Sequence, residues 1–156
     1  MIVNVRQHYG NEAGLFGPEL RFAGNNKDFS FDCPGLDTTS PAVLLFQTRD
    51  VDNERNFFNI NGRDIPGGIP VSAERDDWNA NVAIVGAGWL KDRSNVLQIG
   101  ARNDQGGLLG DIDDFLINNV VHSSAGARGR RGAGHDHDLN ADPMGEGGDA
   151  FCHSEF

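Results

Sequence analysis

The sequence contains few of the residues on which most kinds of site depend. It has two cysteines, Cys33 and Cys152, and no CxxC pair, so it indicates neither a disulfide framework nor a zinc knuckle. Free cysteines are common, and we expect these two to be free rather than paired. One tyrosine and two tryptophans stand against ten phenylalanines, which predicts a core filled by phenylalanine. Helical periodicity is also missing, and only residues 76–81 are expected to hold one short helical turn.

Long apolar runs and positive charge are scarce as well. The longest nearly apolar run, residues 82–90, is well short of the ~20 residues that a membrane-spanning helix needs, and no signal-peptide pattern begins the chain. We therefore expect a soluble chain and leave its compartment open. The 13 Lys and Arg residues against 23 Asp and Glu residues give a net charge of −10. This balance disfavours nucleic acid and anionic membranes as partners, and it fits a cation, a neutral ligand such as a sugar, or solubility alone.

Composition divides the chain into two parts. Residues 123–156 combine glycines and charges with few branched apolar residues, so they cannot bury enough surface to offset chain entropy. We expect this segment to be a disordered tail. Residues 1–122 then form a single domain, in which many turns are expected because glycine accounts for 21 of the 156 residues.

Alternating apolar residues near the end of this domain predict its fold. Residues 95–102 place Leu97, Ile99 and Ala101 on one face, and residues 112–121 place Phe115 and Ile117 on one face. Such alternation is typical of a strand that buries one side. The two strands should lie as neighbouring segments that bury these side chains between two layers. Asn95 follows a chain reversal, where its side chain is expected to bond nearby backbone groups.

Further strands are expected along the domain, with turns between them. Asn61-Gly62 predicts a tight hairpin, since both residues accept positive φ at low cost, and Gly24-Asn25-Asn26 predicts a turn. The expected extended segments are residues 3–6, 20–23, 28–31, 42–48, 56–61, 63–65 and 82–89. The prediction is an all-β, jelly-roll β-sandwich of about eight or nine short antiparallel strands.

Three segments resemble the galactose-binding-like β-sandwich, a jelly roll found in many carbohydrate-binding modules. FFNINGRDI resembles that family's strand, Asn-Gly turn and strand. WLKDRSNVLQI resembles its Leu-Lys-x-Gly-x-Asn-x-Leu-x-Ile edge, with Arg93 where the family often has glycine, and GDIDDFLI resembles its closing strand. The resemblance covers about residues 42–122. Its motifs are structural and identify the sandwich rather than a ligand, and carbohydrate is the leading expectation for a non-catalytic module of this kind.

Three carboxylates near the predicted closing strand suggest a cation site. Asp111, Asp113 and Asp114 fall in one loop, and carboxylates two residues apart in an extended segment point to the same side. With loop carbonyls they can form an oxygen cage for Ca²⁺. The resemblance implies a structural calcium here, held by Asp111 or Asp113 with backbone oxygens of residues 24–28. The alternative is that these carboxylates are solvated or cap backbone N–H groups.

A sugar site needs an aromatic face together with convergent polar groups. The candidates are Trp78 with its neighbours Asp77 and Asn79, and the loop residues Arg102, Asn103 and Asp104. Trp78 could stack on a glycan or could plug one end of the sandwich.

Catalytic patterns are missing from the domain. There is no GxSxG elbow and no visible pair of glycosidase carboxylates, so we expect no enzyme. The leading interpretation is a glycan-binding module. The alternative is a structural domain that packs against a partner domain, or forms a homo-oligomer, with no small ligand.

Overall fold

The described chain forms nine strands and, within these residues, no helix. The structure, a computed structural model, describes residue 2, residues 6–18 and residues 20–124. The strands are β1 (Gln7–Tyr9), β2 (Arg21–Gly24), β3 (Asn26–Phe31), β4 (Ala42–Arg49), β5 (Phe57–Ile60), β6 (Arg63–Asp64), β7 (Asn79–Val85), β8 (Asn95–Gly100) and β9 (Phe115–Ser123). The all-β prediction is confirmed, with the correction that β1 and β2 pair in parallel whereas every other described strand pair is antiparallel. The predicted tail, residues 123–156, lies outside the described residues except for its first two.

The strands form two sheets that enclose one core. The five-stranded sheet has the order β2-β1-β9-β4-β7, and the four-stranded sheet has the order β3-β8-β5-β6. Phe46 of β4 and Phe58 of β5 meet across the interior, with ring centroids 4.6 Å apart in an edge-to-face arrangement. Alternate residues of β4, β5 and β8 face this interior, as one-sided burial requires.

The two segments that carried the fold prediction contribute to the same core from different sheets. Leu97, Ile99, Phe115 and Ile117 are all fully buried, as predicted. They lie in opposite sheets and belong to one core cluster, so β8 and β9 do not share a hydrogen-bonded ladder. The loop between them, which includes an isolated bridge from Asn103 to Ile112, therefore crosses one end of the sandwich.

The hairpin and the buried asparagine also agree with the prediction. Asn61 and Gly62 have φ values of 52° and 84° and connect β5 to β6. Asn95 accepts a hydrogen bond from the Lys91 N–H (2.8 Å) and donates one to the Lys91 carbonyl (2.7 Å). Asn61 donates a further hydrogen bond to Asn95 Oδ1 (2.9 Å), so the hairpin and the reversal before β8 are joined.

Several local predictions need correction. The first described strand begins at Gln7, and the segment predicted at residues 3–6 lies largely outside the described residues. The Gly24-Asn25-Asn26 turn connects β2 and β3 in different sheets, so it is a corner of the sandwich. Residues 76–81 hold no helical turn, because β7 begins at Asn79 and pairs with β4 there.

The ends of β7 and the state of Cys33 also differ from prediction. Strand β7 ends at Val85, and a turn follows in which the Trp89 N–H bonds the Gly86 carbonyl, so residues 86–89 are not extended. Buried Cys33 is disulfide-bonded, so the expectation of a free thiol is wrong for this residue. The other cysteine of the sequence, Cys152, lies outside the described residues. The described part of the chain contains no helix that could serve as a membrane span.

Candidate functional site: two clefts at one end of the sandwich

Loops from both sheets gather at the end of the sandwich where β8 finishes and β9 begins. They form a cleft of about 560 Å³ that we call the acidic cleft. Eight acidic side chains and two arginines line it, together with three apolar side chains and one asparagine. The acidic residues are Glu12, Asp50, Asp52, Asp76, Asp104, Asp111, Asp113 and Asp114, and the basic ones are Arg49 and Arg75. Asp104, Asp111 and Asp113, three of the predicted site residues, therefore meet in one place.

Asp113 holds the loop after β4 to the start of β9. Its Oδ2 accepts hydrogen bonds from the N–H groups of Asp52 and Asn53, both at 3.0 Å, and from the side-chain amide of Asn56. Burial raises the pKa of Asp113, and these hydrogen bonds oppose that rise. The carboxylate thus caps backbone N–H groups, which is the structural alternative to the calcium role.

Asp114 joins β1 and the loop after it to the start of β9. Its Oδ1 accepts hydrogen bonds from His8 Nε2 (2.7 Å) and from the Glu12 N–H (3.1 Å). The His8 ring is buried against Phe16, with centroids 4.7 Å apart. Gly10 is required for this approach, because a Cβ at that position would lie 1.9 Å from Asp114 Oδ1.

The residues expected to hold calcium do not form a cage. Among the described residues, no group of three or more His, Cys, Asp and Glu side chains could hold a metal ion. Asp111 is exposed, and the carbonyls of Gly24 and Asn25 accept hydrogen bonds from the N–H groups of Gly10 and Ala101. Calcium binding stays a prediction, and the geometry of these residues does not support it.

Charge repulsion in the acidic cleft is offset only in part. Burial raises the pKa of Asp50, and the carboxylates of Asp76 and Asp52 raise it further against the opposing effect of Arg49. Asp50 also has a φ of 61°, a conformation that aspartate tolerates better than most residues. Arg75 pairs with Asp52 at 2.9 Å, but both side chains are well exposed, so this pair adds little stability.

A second cleft, of about 570 Å³, lies on the side of the four-stranded sheet, and we call it the Phe57 cleft. Its charged side chains are balanced, with two carboxylates and two guanidinium groups. It is lined by Glu54, Arg55, Phe57, Asp64, Gly67, Gly68, Arg102 and Gly106. The cleft therefore offers hydrogen-bond donors and acceptors without a large net charge.

An aromatic ring and a guanidinium group form the centre of the Phe57 cleft. Arg102 Cζ lies 4.1 Å from the centroid of the Phe57 ring, within the range of a cation–π contact. The ring itself lies over Gly100, where a Cβ would come within 2.1 Å of it. Arg102 also donates a hydrogen bond to Asn26 Oδ1 (2.9 Å), which orients the guanidinium plane. Burial lowers the pKa of Arg102, and the Asp64 carboxylate opposes that change.

The six residues predicted to bind sugar do not converge. Trp78 lies before β7 of the five-stranded sheet, and the Arg6 guanidinium stands 4.9 Å from the centroid of its ring. Asp77 accepts a hydrogen bond at its carbonyl from the Asn79 side chain, and Asn79 pairs with Thr48 in the ladder. These three residues therefore belong to the opposite sheet from Arg102.

The remaining predicted residues have separate positions. Asn103 organises its own loop, because its Oδ1 accepts from the Gln105 and Gly107 N–H groups while its Nδ2 donates to the Leu109 carbonyl. The carboxylate of Asp104 faces the acidic cleft, and its carbonyl accepts a hydrogen bond from Arg55. Of the six, Arg102 alone lines the Phe57 cleft.

Sequence reasoning missed Phe57, Asp64, Glu54 and Arg55. A signal for Phe57 was present, because Phe58 and Ile60 face the core and alternation then turns Phe57 outward. An aromatic residue on the outer face of a strand is a stronger binding candidate than one in a loop of unknown direction. The other three depend on how the loop after β4 and the hairpin approach each other, which the sequence pattern does not encode.

Comparison of the chain with protein-family models, with curated proteins and with solved structures finds no match. The class that the geometry defines is a two-sheet β-sandwich with an acidic cleft and a charge-balanced cleft at one end.

Proposed function

We propose that this chain is a non-catalytic ligand-binding module whose Phe57 cleft binds a carbohydrate. The observation that carries the proposal is the stack of Arg102 on Phe57 in a cleft whose charges balance. The resemblance of three segments to galactose-binding-like modules supports the same class of ligand.

Charge favours the Phe57 cleft over the acidic cleft for a sugar. A neutral polyol carries no positive charge that could neutralise the acidic cleft. In the Phe57 cleft its hydroxyls can donate hydrogen bonds to the carboxylates and accept them from the guanidinium groups. The carboxylates of Asp64 and Glu54 would accept from sugar hydroxyls, and the guanidinium groups of Arg55 and Arg102 would donate to sugar oxygens. Since Gly100 lies on one side of the Phe57 ring and Arg102 on the other, the ring edge and the outer side of the guanidinium plane would contact the apolar C–H face of a pyranose.

The polar groups around this cleft are held in place before a ligand arrives. Arg55 is anchored by its Nε to the Asp104 carbonyl (2.9 Å), and Asp64 Oδ1 accepts a hydrogen bond from Asn59 (2.9 Å). Gly68 permits a close backbone approach, because a Cβ there would lie 2.4 Å from the Asn56 carbonyl oxygen. Such preorganisation reduces the entropy lost on binding.

A glycan array probed with the full chain tests this proposal. A glycan that binds would then be titrated by calorimetry against wild type and two variants. Arg102→Lys keeps the charge but loses the planar stack, and Asp64→Asn keeps the shape but loses the carboxylate. Each is expected to weaken binding by about tenfold, the effect of one good hydrogen bond or stacking contact.

Arg93→Lys is the matched control, because Arg93 is exposed in the turn before β8, at the far end of that strand from Arg102. It should bind as wild type does. The proposal fails if no glycan binds, or if Arg102→Lys and Asp64→Asn bind the array hit as tightly as Arg93→Lys. Circular dichroism of each variant would show that the fold is kept.

A further inference from the structure

Strand β7 is an edge strand without the features that normally protect one. It pairs with β4 over all seven residues, Asn79 to Val85, in a continuous register with no bulge. Its residues include no charge and no proline. Within the described part of the chain, no backbone hydrogen bond from outside its own sheet reaches β7. A long, bulge-free and uncharged edge of this kind is a template for another strand.

The other three edges of the two sheets are protected. Strand β2 is short, begins with Arg21 and pairs with β1 through an irregular register. Strand β3 carries Lys27 and Asp28, and β6 consists of two charged residues. These are the devices that prevent edge-to-edge pairing in natural β-proteins, so β7 stands apart among the described edges.

An apolar surface adjoins this edge on the outer face of the five-stranded sheet. Val82 is 60% exposed, Ile84 59% and Leu45 45%. In the ladder Leu45 lies opposite Val82, and Val43 lies opposite Ile84, so the four side chains are contiguous. We call this surface the β7 face.

We propose that β7 pairs with β7 of a second copy of this chain in an antiparallel, two-fold arrangement. A two-fold axis at Val82, the centre of the strand, pairs all seven residues of one copy with all seven of the other. In that register Val82 lies beside its own symmetry mate, and Ile84 lies beside the small Ala80 of the second copy. The two five-stranded sheets then become one continuous sheet.

A second copy fits this edge because β7 is self-complementary about Val82, and charge limits where two copies can meet. A chain with a net charge of −10 repels its own copies, and that repulsion is least where two uncharged surfaces meet. The β7 face is such a surface, and an isologous contact makes its apolar residues complementary by symmetry. The β7 face and the Phe57 cleft belong to different sheets, so this pairing and the proposed sugar binding can fail independently.

Sedimentation equilibrium of the full chain over a range of concentrations tests the proposal. Wild type should show a reversible monomer–dimer equilibrium that tightens as added salt screens the net charge. Val82→Lys places two like charges beside each other on the axis and should raise the dimer dissociation constant at least about tenfold. Val96→Lys is the matched control, because Val96 is the exposed valine on the outer face of the other sheet, and it should dimerise as wild type does.

A charge-pair rescue tests the register. Ile84→Lys alone and Ala80→Asp alone should each weaken the dimer, whereas the double variant should recover most of the loss, since the two positions are opposite each other only across the axis. The proposal is overturned if the chain stays monomeric at all concentrations, if Val82→Lys and Val96→Lys behave alike, or if the double variant shows no recovery. A dimer that survives denaturing electrophoresis without reductant would be disulfide-linked, and that result would also overturn it.

Discussion

Replacing Asn95 should destabilise the domain more than replacing any exposed asparagine. Its side chain is fully buried and makes three hydrogen bonds, two to the backbone of Lys91 and one from Asn61. Asn95→Ala removes all three at once and leaves a small cavity. The Lys91 N–H and carbonyl then lose their partners, while Asn61 keeps its second hydrogen bond, to the Trp89 carbonyl at 2.8 Å.

The expected loss follows from these contacts. Each hydrogen bond contributes about 0.5–1.5 kcal/mol net, and each buried polar group left without a partner costs about 1–3 kcal/mol. Because Asn61 stays bonded and water can reach part of the turn, we expect Asn95→Ala to lower the free energy of unfolding by about 2–4 kcal/mol. That is a large share of the ~5–15 kcal/mol typical of a domain.

Urea titration followed by circular dichroism measures this loss, with Asn11→Ala as the control. Asn11 is exposed and donates one hydrogen bond, to the Gly110 carbonyl, so its replacement should cost less than about 1 kcal/mol. Asn95→Asp adds a second test. A carboxylate oxygen would face the Lys91 carbonyl, so its deficit relative to wild type should shrink at acidic pH, where the protonated acid can donate.

Two outcomes would refute this reasoning about Asn95. One is a loss for Asn95→Ala no larger than that for Asn11→Ala. The other is a deficit for Asn95→Asp that does not change with pH.

Three further predictions concern pH, backbone space and calcium. Burial lowers the pKa of His122 from 6.5 to about 4. Between these two pH values the unfolded chain binds a proton at His122 more readily than the folded chain does, so the free energy of unfolding should fall by up to ~3 kcal/mol as the pH drops from 6.5 to 4. Urea titrations across that range should show the fall in wild type and not in His122→Gln; equal slopes would contradict it. Gly10→Ala should destabilise by more than about 2 kcal/mol, since its Cβ would clash with Asp114 at 1.9 Å. Gly14→Ala, where φ is 94° and nothing lies within 4 Å, should cost less in the same urea assay, and the reverse order would refute the clash. Thermal melts in calcium and in EDTA should coincide, and a higher melting temperature in calcium would show a cation site that the described carboxylates do not form.

Local patterns in the sequence predicted most of the strands. The alternation of Leu97, Ile99 and Ala101 and the positive-φ pair Asn61-Gly62 both depend on residues within one strand or one turn, and both were confirmed. The bonding of Asn95 to nearby backbone was also confirmed for this reason. The exceptions were segments whose structure depends on distant partners, such as residues 76–81, where pairing with β4 extends β7.

The candidate site could not be predicted in the same way. Trp78 and Arg102 were both candidates for sugar binding, but Trp78 precedes a strand of one sheet and Arg102 follows a strand of the other. The Phe57 cleft brings together the loop after β4, the β5–β6 hairpin and the residues after β8. Only the outward direction of Phe57 was encoded locally.

The amino-acid sequence alone therefore determined that the domain is all-β, where most of its strands lie and which side of β8 is buried, because a period of two residues is a property of neighbouring positions. One-sided burial does not hold for β9, where Leu116 is buried on the face opposite Phe115 and Ile117. The tertiary structure decided which sheet each strand joins, that Asp113 caps backbone N–H groups, and that β7 is left at an open edge. Those outcomes depend on contacts between residues far apart in the chain, and no local pattern specifies which distant partner a strand or a carboxylate will find.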